Sequence, residues 1–216
     1  TQNGQGDPYE FVDKLEVGQR IVIVKFKGDP RYLYLGTGRG RLAVSTPGNT
    51  RGHNSAVDAF CVAAVDANSS FPDAFAGNAK NPVEDFSSDG PRRVFFNADG
   101  TAITPGNFTS TGGAVRQKPD IAAADGVVTT LPGDSGLNPF FGTSAAAPHA
   151  GAIAALVKSY NRALTPAQIR SILTGTALDI ESPGVDRDSG AGLVMALAAL
   201  QSVAGAVAPT LTAVNP

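Results

Sequence analysis

Residues 138–157 read NPFFGTSAAAPHAGAIAALV, and the reading of this stretch decides the rest of the chain. A Gly-Thr-Ser stands at a loop-to-helix junction, followed by small residues and then Pro-His. Beyond it, Ile153, Leu156, Val157 and Tyr160 fall at i, i+3, i+4 and i+7, which predicts a helix with one apolar face. Pro148 falls within the first turn or so of that helix, where a missing N–H is tolerated. Ser144 then has two readings. The free backbone N–H groups of a helix start favour developing negative charge. The alanines at 145–147 let a substrate backbone approach, which suits a nucleophile. Serine is equally a frequent helix N-cap.

A serine hydroxyl is a poor nucleophile without a base beside it. The chain has two histidines, His53 and His149. His149 follows Ser144 by five residues. At ~100° per residue the two side chains lie ~140° apart around a helix, so His149 is expected to bond a backbone carbonyl instead. His53 lies in TRGHNSA, a loop entering an apolar run, with no acid marked near it to orient it. The G-x-S-x-G elbow does not apply to Ser144, because Ala146 stands where its second glycine belongs.

The bulk numbers narrow the class. A length of 216 residues suits one well-buried domain. Hydrophobic content of 42% and charged content of 17% are those of a globular chain. A net charge of -2 with no basic stripe argues against nucleic acid as a partner. One cysteine, Cys61, excludes an internal disulfide and a cysteine-built zinc site. It sits in DAFCVAAV and reads as a buried strand residue. No run reaches the ~18 apolar residues of a membrane helix. The opening TQNGQGDP is polar and does not read as a signal peptide.

Along the chain, 25 glycines and 15 prolines announce short elements joined by turns. VGQRIVIVKFK, RYLYLGTG and GRLAVSTPG predict an antiparallel β-meander, giving a β-rich segment over residues 1–52. AFCVAAVDA and KPDIAAADG read as strands buried on both faces of a parallel sheet. RRVFFNADG with AITPGN suggests a hairpin turning at Asp99 and Gly100. LTPAQIRSIL carries a capping box of Thr165 and Gln168 with Pro166 first in the helix, and Gly175 stops it. A last helix is expected from about Leu193, and residues 208–216 read as a tail or linker.

FFGTSAAAPHAGAIAALV closely resembles the serine motif of the subtilisin family, G-T-S-x-A-x-P-H-x-A-G. One position departs from it: Ala150 and Gly151 follow His149 directly, where the family has one more residue. Three further stretches agree in order. FSSDGP (86–91) is similar to the family's F-S-S-x-G-P. KPDIAAADG (118–126) is similar to K-P-D-[IV]-x-A-P-G, with one extra residue and Asp125 in place of the proline. SGAGLV (189–194) is similar to the G-x-G-[LVI]-[VL] near the domain end.

The resemblance implies an α/β fold: a subtilisin-like parallel sheet flanked by helices, preceded by an antiparallel β segment. Residues 53–207 would form the C-terminal part of the catalytic domain, and residues 1–52 the end of an inserted β domain. It implies a serine endopeptidase acting on polypeptides, with Ser144 as nucleophile and its backbone N–H as half of the oxyanion hole. Gly142, Thr143, Pro148 and His149 support the motif. Pro47-Gly48-Asn49 offers Asn49 as the second oxyanion donor; Asn49 otherwise reads as a turn residue. The family's D-[TS]-G and H-G-T-H motifs are absent from these residues, so the base and its orienting acid are expected in an N-terminal half this chain lacks. On that expectation the chain alone is inactive. The rival reading is a non-catalytic subtilisin-like module. The chemistry needs no cofactor. Structural calcium is common in the family, but no acidic loop marks a site, and DRDSGAG fits a structural turn better. A bacterial extracellular or cell-envelope location is implied by the resemblance alone.

Overall fold

A computed structural model describes residues 11–12, 14–37 and 42–204. It divides into two units, Thr1–Arg31 and Tyr32–Pro216. In the first, the described residues form no strand or helix. A turn closes where the Gln19 N–H donates to the Glu16 carbonyl at 3.1 Å. The antiparallel β segment expected over residues 1–52 is therefore not formed by the residues described there. Ile21, Val22, Ile23 and Val24 alternate as a strand would, but they stand exposed. A strand needs a partner for its N–H and C=O groups, and these residues have no ladder neighbour among the described residues. Residues 1–10 and 38–41 of that expectation, and the expected tail at 208–216, lie outside the described residues.

The second unit is built on two parallel strands, β1 (Val62–Asp66) and β4 (Ile121–Asp125), paired from Val62 with Ile121 to Asp66 with Asp125. Both are buried on two faces, as their continuous apolar runs dictate. Ala64, Ile121 and Ala123 face helix α1 (Thr143–Tyr160) and pack with Ala146, Ala150 and Val157. Ala63, Val65 and Ala122 face the other way, onto Ile180 and Leu193. Single bridges extend the pair on each side, Val65 with Val83 and Ala122 with Leu193.

Helix α1 packs through its alanines together with half of the expected stripe: Val157 is buried and Ile153 packs against the core. Leu156 and Tyr160 are exposed, and the buried line runs through Ala146, Ala150 and Val157. The facing strands are themselves mostly alanine, so the small side chains bring helix and sheet close together. Pro148 sits inside the helix, a turn deeper than expected. Its missing N–H leaves the Ser144 carbonyl without its i+4 donor.

Helix α2 (Pro166–Gly175) has the expected capping box, with both reciprocal Thr165–Gln168 bonds present. Helix α3 spans Ala196–Ala204 and starts later than expected. Leu193 and Val194 are held in bridges instead: the Val194 N–H donates to Ala122 O at 2.9 Å, and Leu193 exchanges two bonds with Leu178. Strand β2 (Arg92–Val94) pairs antiparallel with β3 (Ala114–Arg116). The turn at Asp99 and Gly100 is present, closed by the Phe96–Ala102 bridge, but the ladder partner of β2 comes from further along the chain. Cys61 is buried just ahead of β1, and burial pushes its thiol pKa up, so it is a packing residue.

Candidate active site

The serine motif is assembled at the C-terminal end of β4, where open α/β sheets bind ligands. After Asp125 the chain loops out and returns through a bridge in which the Phe140 N–H donates to Val127 O at 2.7 Å. Gly142 then opens helix α1 as its N-cap residue, with φ 135 and ψ 153. Its carbonyl accepts from the N–H groups of Ala145 and Ala146 at 2.8 and 3.2 Å.

Gly142 rather than Ser144 is thus the cap, and no side chain caps this helix. Ser144 is the second helical residue. Its side chain is exposed, and its Oγ has no hydrogen-bond partner among the described residues. The N–H groups of Thr143 and Ser144 precede the helical ladder and have no acceptor among the described residues. The helix start therefore presents a free hydroxyl and free donors side by side.

His149 is turned away from Ser144. Its Nδ1 lies 2.8 Å from the Ala124 carbonyl oxygen. A carbonyl only accepts, so Nδ1 carries the proton, and the ring ties α1 to β4. His53 is exposed in a 3-10 turn, Gly52–Ser55, and its imidazole meets no carboxylate among the described residues. Ser144 therefore has no imidazole at its Oγ among the described residues.

Asn49 is engaged elsewhere. Its Nδ2 donates to Asp89 Oδ1 at 3.1 Å, and its backbone N–H donates to the same oxygen at 3.0 Å. Asp89 also accepts from the Gly48 N–H at 3.1 Å and pairs with Arg187 Nη2 at 3.0 Å. The FSSDGP segment is thus a clamp. Asp89 fixes the Pro47-Gly48-Asn49 turn, and Ser87 Oγ accepts the Ala64 N–H at 3.0 Å.

Asp125 is the residue that sequence reasoning missed as a part of the site. It is fully buried, and its Oδ2 accepts the Gly142 N–H at 2.6 Å, while Oδ1 has no partner. Register places Asp66 beside it, and Glu84 lies close to both. Burial raises the Asp125 pKa above its ordinary value; the Asp66 charge adds to this, and the Gly142 N–H and His149 oppose it. Glu84 is raised as well, by burial first and then by the neighbouring carboxylates. The only signal in the sequence was an aspartate where the motif has proline.

The raised value has a consequence for stability. The folded state holds the Asp125 proton more tightly than the unfolded chain, whose aspartate pKa is ~3.9. Its contribution is therefore most favourable at low pH and declines as pH rises from ~3.9 through the folded value. Asp125→Asn keeps an acceptor for Gly142 and removes the buried charge. We expect D125N to be at least as stable as the parent at pH 7, with a flatter melting profile between pH 4 and 7. A loss of several degrees in D125N at pH 7 would show that the charge itself stabilises the loop.

Among the described residues, no group of three or more acidic, histidine or cysteine side chains is placed to hold a metal ion, and no helix is long and apolar enough to cross a membrane. Asp186, in DRDSGAG, instead closes its own turn, accepting from the N–H groups of Asp188 and Ser189 at 2.8 and 2.7 Å.

The model of the Subtilase family matches residues 20–192. Alkaline elastase YaB from a Bacillus species is 43% identical over 79 residues, 37% of this chain and 20% of that protein. Fervidolysin of Fervidobacterium pennivorans is 49% identical over 61 residues, 28% of this chain and 9% of that protein. The crystal structure of fervidolysin, described as a keratinolytic enzyme related to subtilisin, aligns with 71% of this chain and 20% of that chain, at 26% identity and a TM-score of 0.38. The chain thus spans a fifth or less of the length of these relatives.

Proposed function

This chain belongs to the subtilase family, and on that premise we propose that it carries the nucleophile of a serine endopeptidase, Ser144. The observation that carries the reading is the helix start itself: an exposed hydroxyl not used as a cap, beside free N–H groups, in the first turn of α1. In the reaction, Ser144 Oγ attacks the scissile carbonyl carbon while an imidazole takes its proton. The oxyanion so formed is received by the Ser144 N–H. Collapse expels the amine, which leaves with that proton, and water then hydrolyses the acyl-serine and restores the hydroxyl.

The base and the acid that orients it come, in this proposal, from residues outside this chain. What supports this is the placement of the two histidines, one bonded to Ala124 O and one without an acid. The chain alone is then inert. Asn49 acts as a turn residue, in keeping with its bonds to Asp89, and the side-chain oxyanion donor also lies outside. The substrates are polypeptides. A bacterial extracellular or cell-envelope location belongs to the same proposal, supported by the Bacillus and Fervidobacterium sources of the relatives.

The test is labelling with a fluorophosphonate followed by peptide mapping. The whole gene product carrying this chain is expected to take up label at Ser144 with a stoichiometry near one. Ser144→Ala should abolish the label, and the 216-residue chain by itself should take up none. Label on the isolated chain would refute the claim that the base lies elsewhere. A folded gene product that never labels would favour the non-catalytic module.

A further inference from the structure

Three arginines converge on one side of the second unit, none of them in an ion pair with a described carboxylate. Arg92 opens β2 and Arg116 ends β3, and they are direct ladder partners. Side chains so paired leave the same face of the sheet with Cβ atoms ~5 Å apart. Arg51 precedes the 3-10 turn Gly52–Ser55. The Arg51 and Arg92 guanidinium carbons lie 5.0 and 5.5 Å from the ring centroid of Tyr34. Arg116 Nη1 donates to the Ser55 carbonyl at 2.6 Å, which brings the turn against the hairpin.

The cluster is electrically incomplete. Among the described residues none of the three arginines forms an ion pair, although Arg187, Arg170 and Lys118 all find carboxylates. Like charges directly opposed across a ladder are destabilising. The Nε and Nη1 of Arg92 are buried without an acceptor, and so is the hydroxyl of Ser55, a residue only 7% exposed. Two buried guanidinium nitrogens with neither counter-charge nor acceptor are a costly feature for a fold to carry. Tyr34 offers its ring face, which relieves part of the charge and accepts none of the in-plane N–H groups.

We propose that Arg51, Arg92 and Arg116, with the Ser55 hydroxyl, bind a tetrahedral oxyanion of the phosphate or sulfate type. Guanidinium donors in the plane of Arg92 match oxygen acceptors set at the spacing of such a group. The buried, unpartnered Ser55 hydroxyl supplies a further donor, which favours a group with several oxygens over a single-atom halide. Arg51, exposed at the rim beside a Tyr34 that is 39% exposed, leaves an approach from solvent. The site involves none of Ser144, Asp125 or Gly142, so it stands or falls apart from the protease reading.

The test is thermal melting of the chain in inorganic phosphate against chloride at matched ionic strength, for the parent and Arg92→Met. Methionine keeps an apolar stem and removes both charge and donors. In anion-poor buffer R92M is expected to melt at or above the parent, because it removes an unpaired buried charge. In phosphate at about 100 times the Kd, the parent should gain on the order of 5 °C over its chloride value, and R92M should gain none of that difference. Arg51→Met, at the exposed rim, should fold as the parent does and weaken phosphate several-fold. Addition of phosphate should also move the Arg92 Nε resonance in 1H–15N spectra, and chloride should leave it in place. A parent that responds alike to both salts overturns the proposal. So does an R92M that is less stable than the parent in anion-poor buffer, since Arg92 would then have an internal partner.

Discussion

Asp120→Ala is expected to lower the stability of the chain by about 3–5 kcal/mol, the scale on which removing one partner strands a buried charge. Asp120 is the hub of the KPD segment. Its Oδ2 accepts from Lys118 Nζ at 2.8 Å and from the Cys61 N–H at 2.7 Å. Its Oδ1 pairs with Arg170 from helix α2. The side chain of Lys118 is 3% exposed and that of Asp120 is 11%, so this pair is not a surface ion pair of small net worth. Lys118 Nζ and Arg170 Nη2 both also donate to Ala59 O, at 2.7 and 3.0 Å, and the Arg170 guanidinium carbon lies 4.6 Å from the Phe60 ring centroid. One carboxylate therefore fixes the start of β1, the start of β4 and the inner face of α2.

Loss of Asp120 leaves Lys118 charged and buried with a single carbonyl, and frees the Cys61 N–H. The melting temperature should fall by on the order of 10 °C, with the denaturant slope m unchanged if the native state keeps its compactness. The double replacement Lys118→Met with Asp120→Leu should recover part of the loss, because it removes the charge together with its partner. A D120A chain within about 1 kcal/mol of the parent would show that the pair is solvated in solution and does not organise the sheet.

How far this organisation was legible depends on how local each signal is. The start of α2 is written within four residues, since Thr165, Pro166 and Gln168 complete the cap among themselves. The double burial of β1 and β4 is legible in their unbroken apolar runs, which no half-exposed strand tolerates. The Gly-Thr-Ser junction likewise marks a helix start by itself, though it does not say that Gly142 would be the cap.

What failed to show depends on partners distant in sequence. Ile21 to Val24 alternate like a strand, but alternation does not provide the neighbour that makes one. Leu156 and Tyr160 are large apolar side chains of α1, yet a sheet of alanines selects the helix face that approaches most closely, and that face is Ala146, Ala150 and Val157 with Ile153 packed beside them. Leu193 and Val194 have helical neighbours in sequence but bond to Leu178 and Ala122 in space. The Asp125–Gly142 contact spans 17 residues and the Asn49–Asp89 contact 40. Each needs the parallel sheet to be folded before it exists, so neither composition nor periodicity anticipates it.

Gly142→Ala tests whether the serine depends on that distant scaffold. At φ 135 and ψ 153, Gly142 occupies a region that L side chains almost never enter. Space is not the obstacle: a Cβ there would meet nothing nearer than the Ser144 nitrogen at 3.7 Å. The cost is conformational, about 1–3 kcal/mol, and the chain can avoid it only by rotating the peptide on one side of residue 142. Rotation on the N-terminal side breaks the 2.6 Å bond from Gly142 N–H to Asp125 Oδ2. Rotation on the C-terminal side moves the carbonyl that caps Ala145 and Ala146. Either path displaces Ser144 relative to the N–H groups beside it. A displacement of ~1 Å at a nucleophile costs ~10²-fold in rate. In the whole gene product, G142A should therefore label with a fluorophosphonate ~10²-fold more slowly, while its melting temperature falls by only a few degrees. A structural role alone would lower the melting temperature and leave labelling of the folded fraction unchanged. If G142A labels at the parental rate, the unusual backbone at Gly142 is a feature of the loop and the hydroxyl finds its position without it.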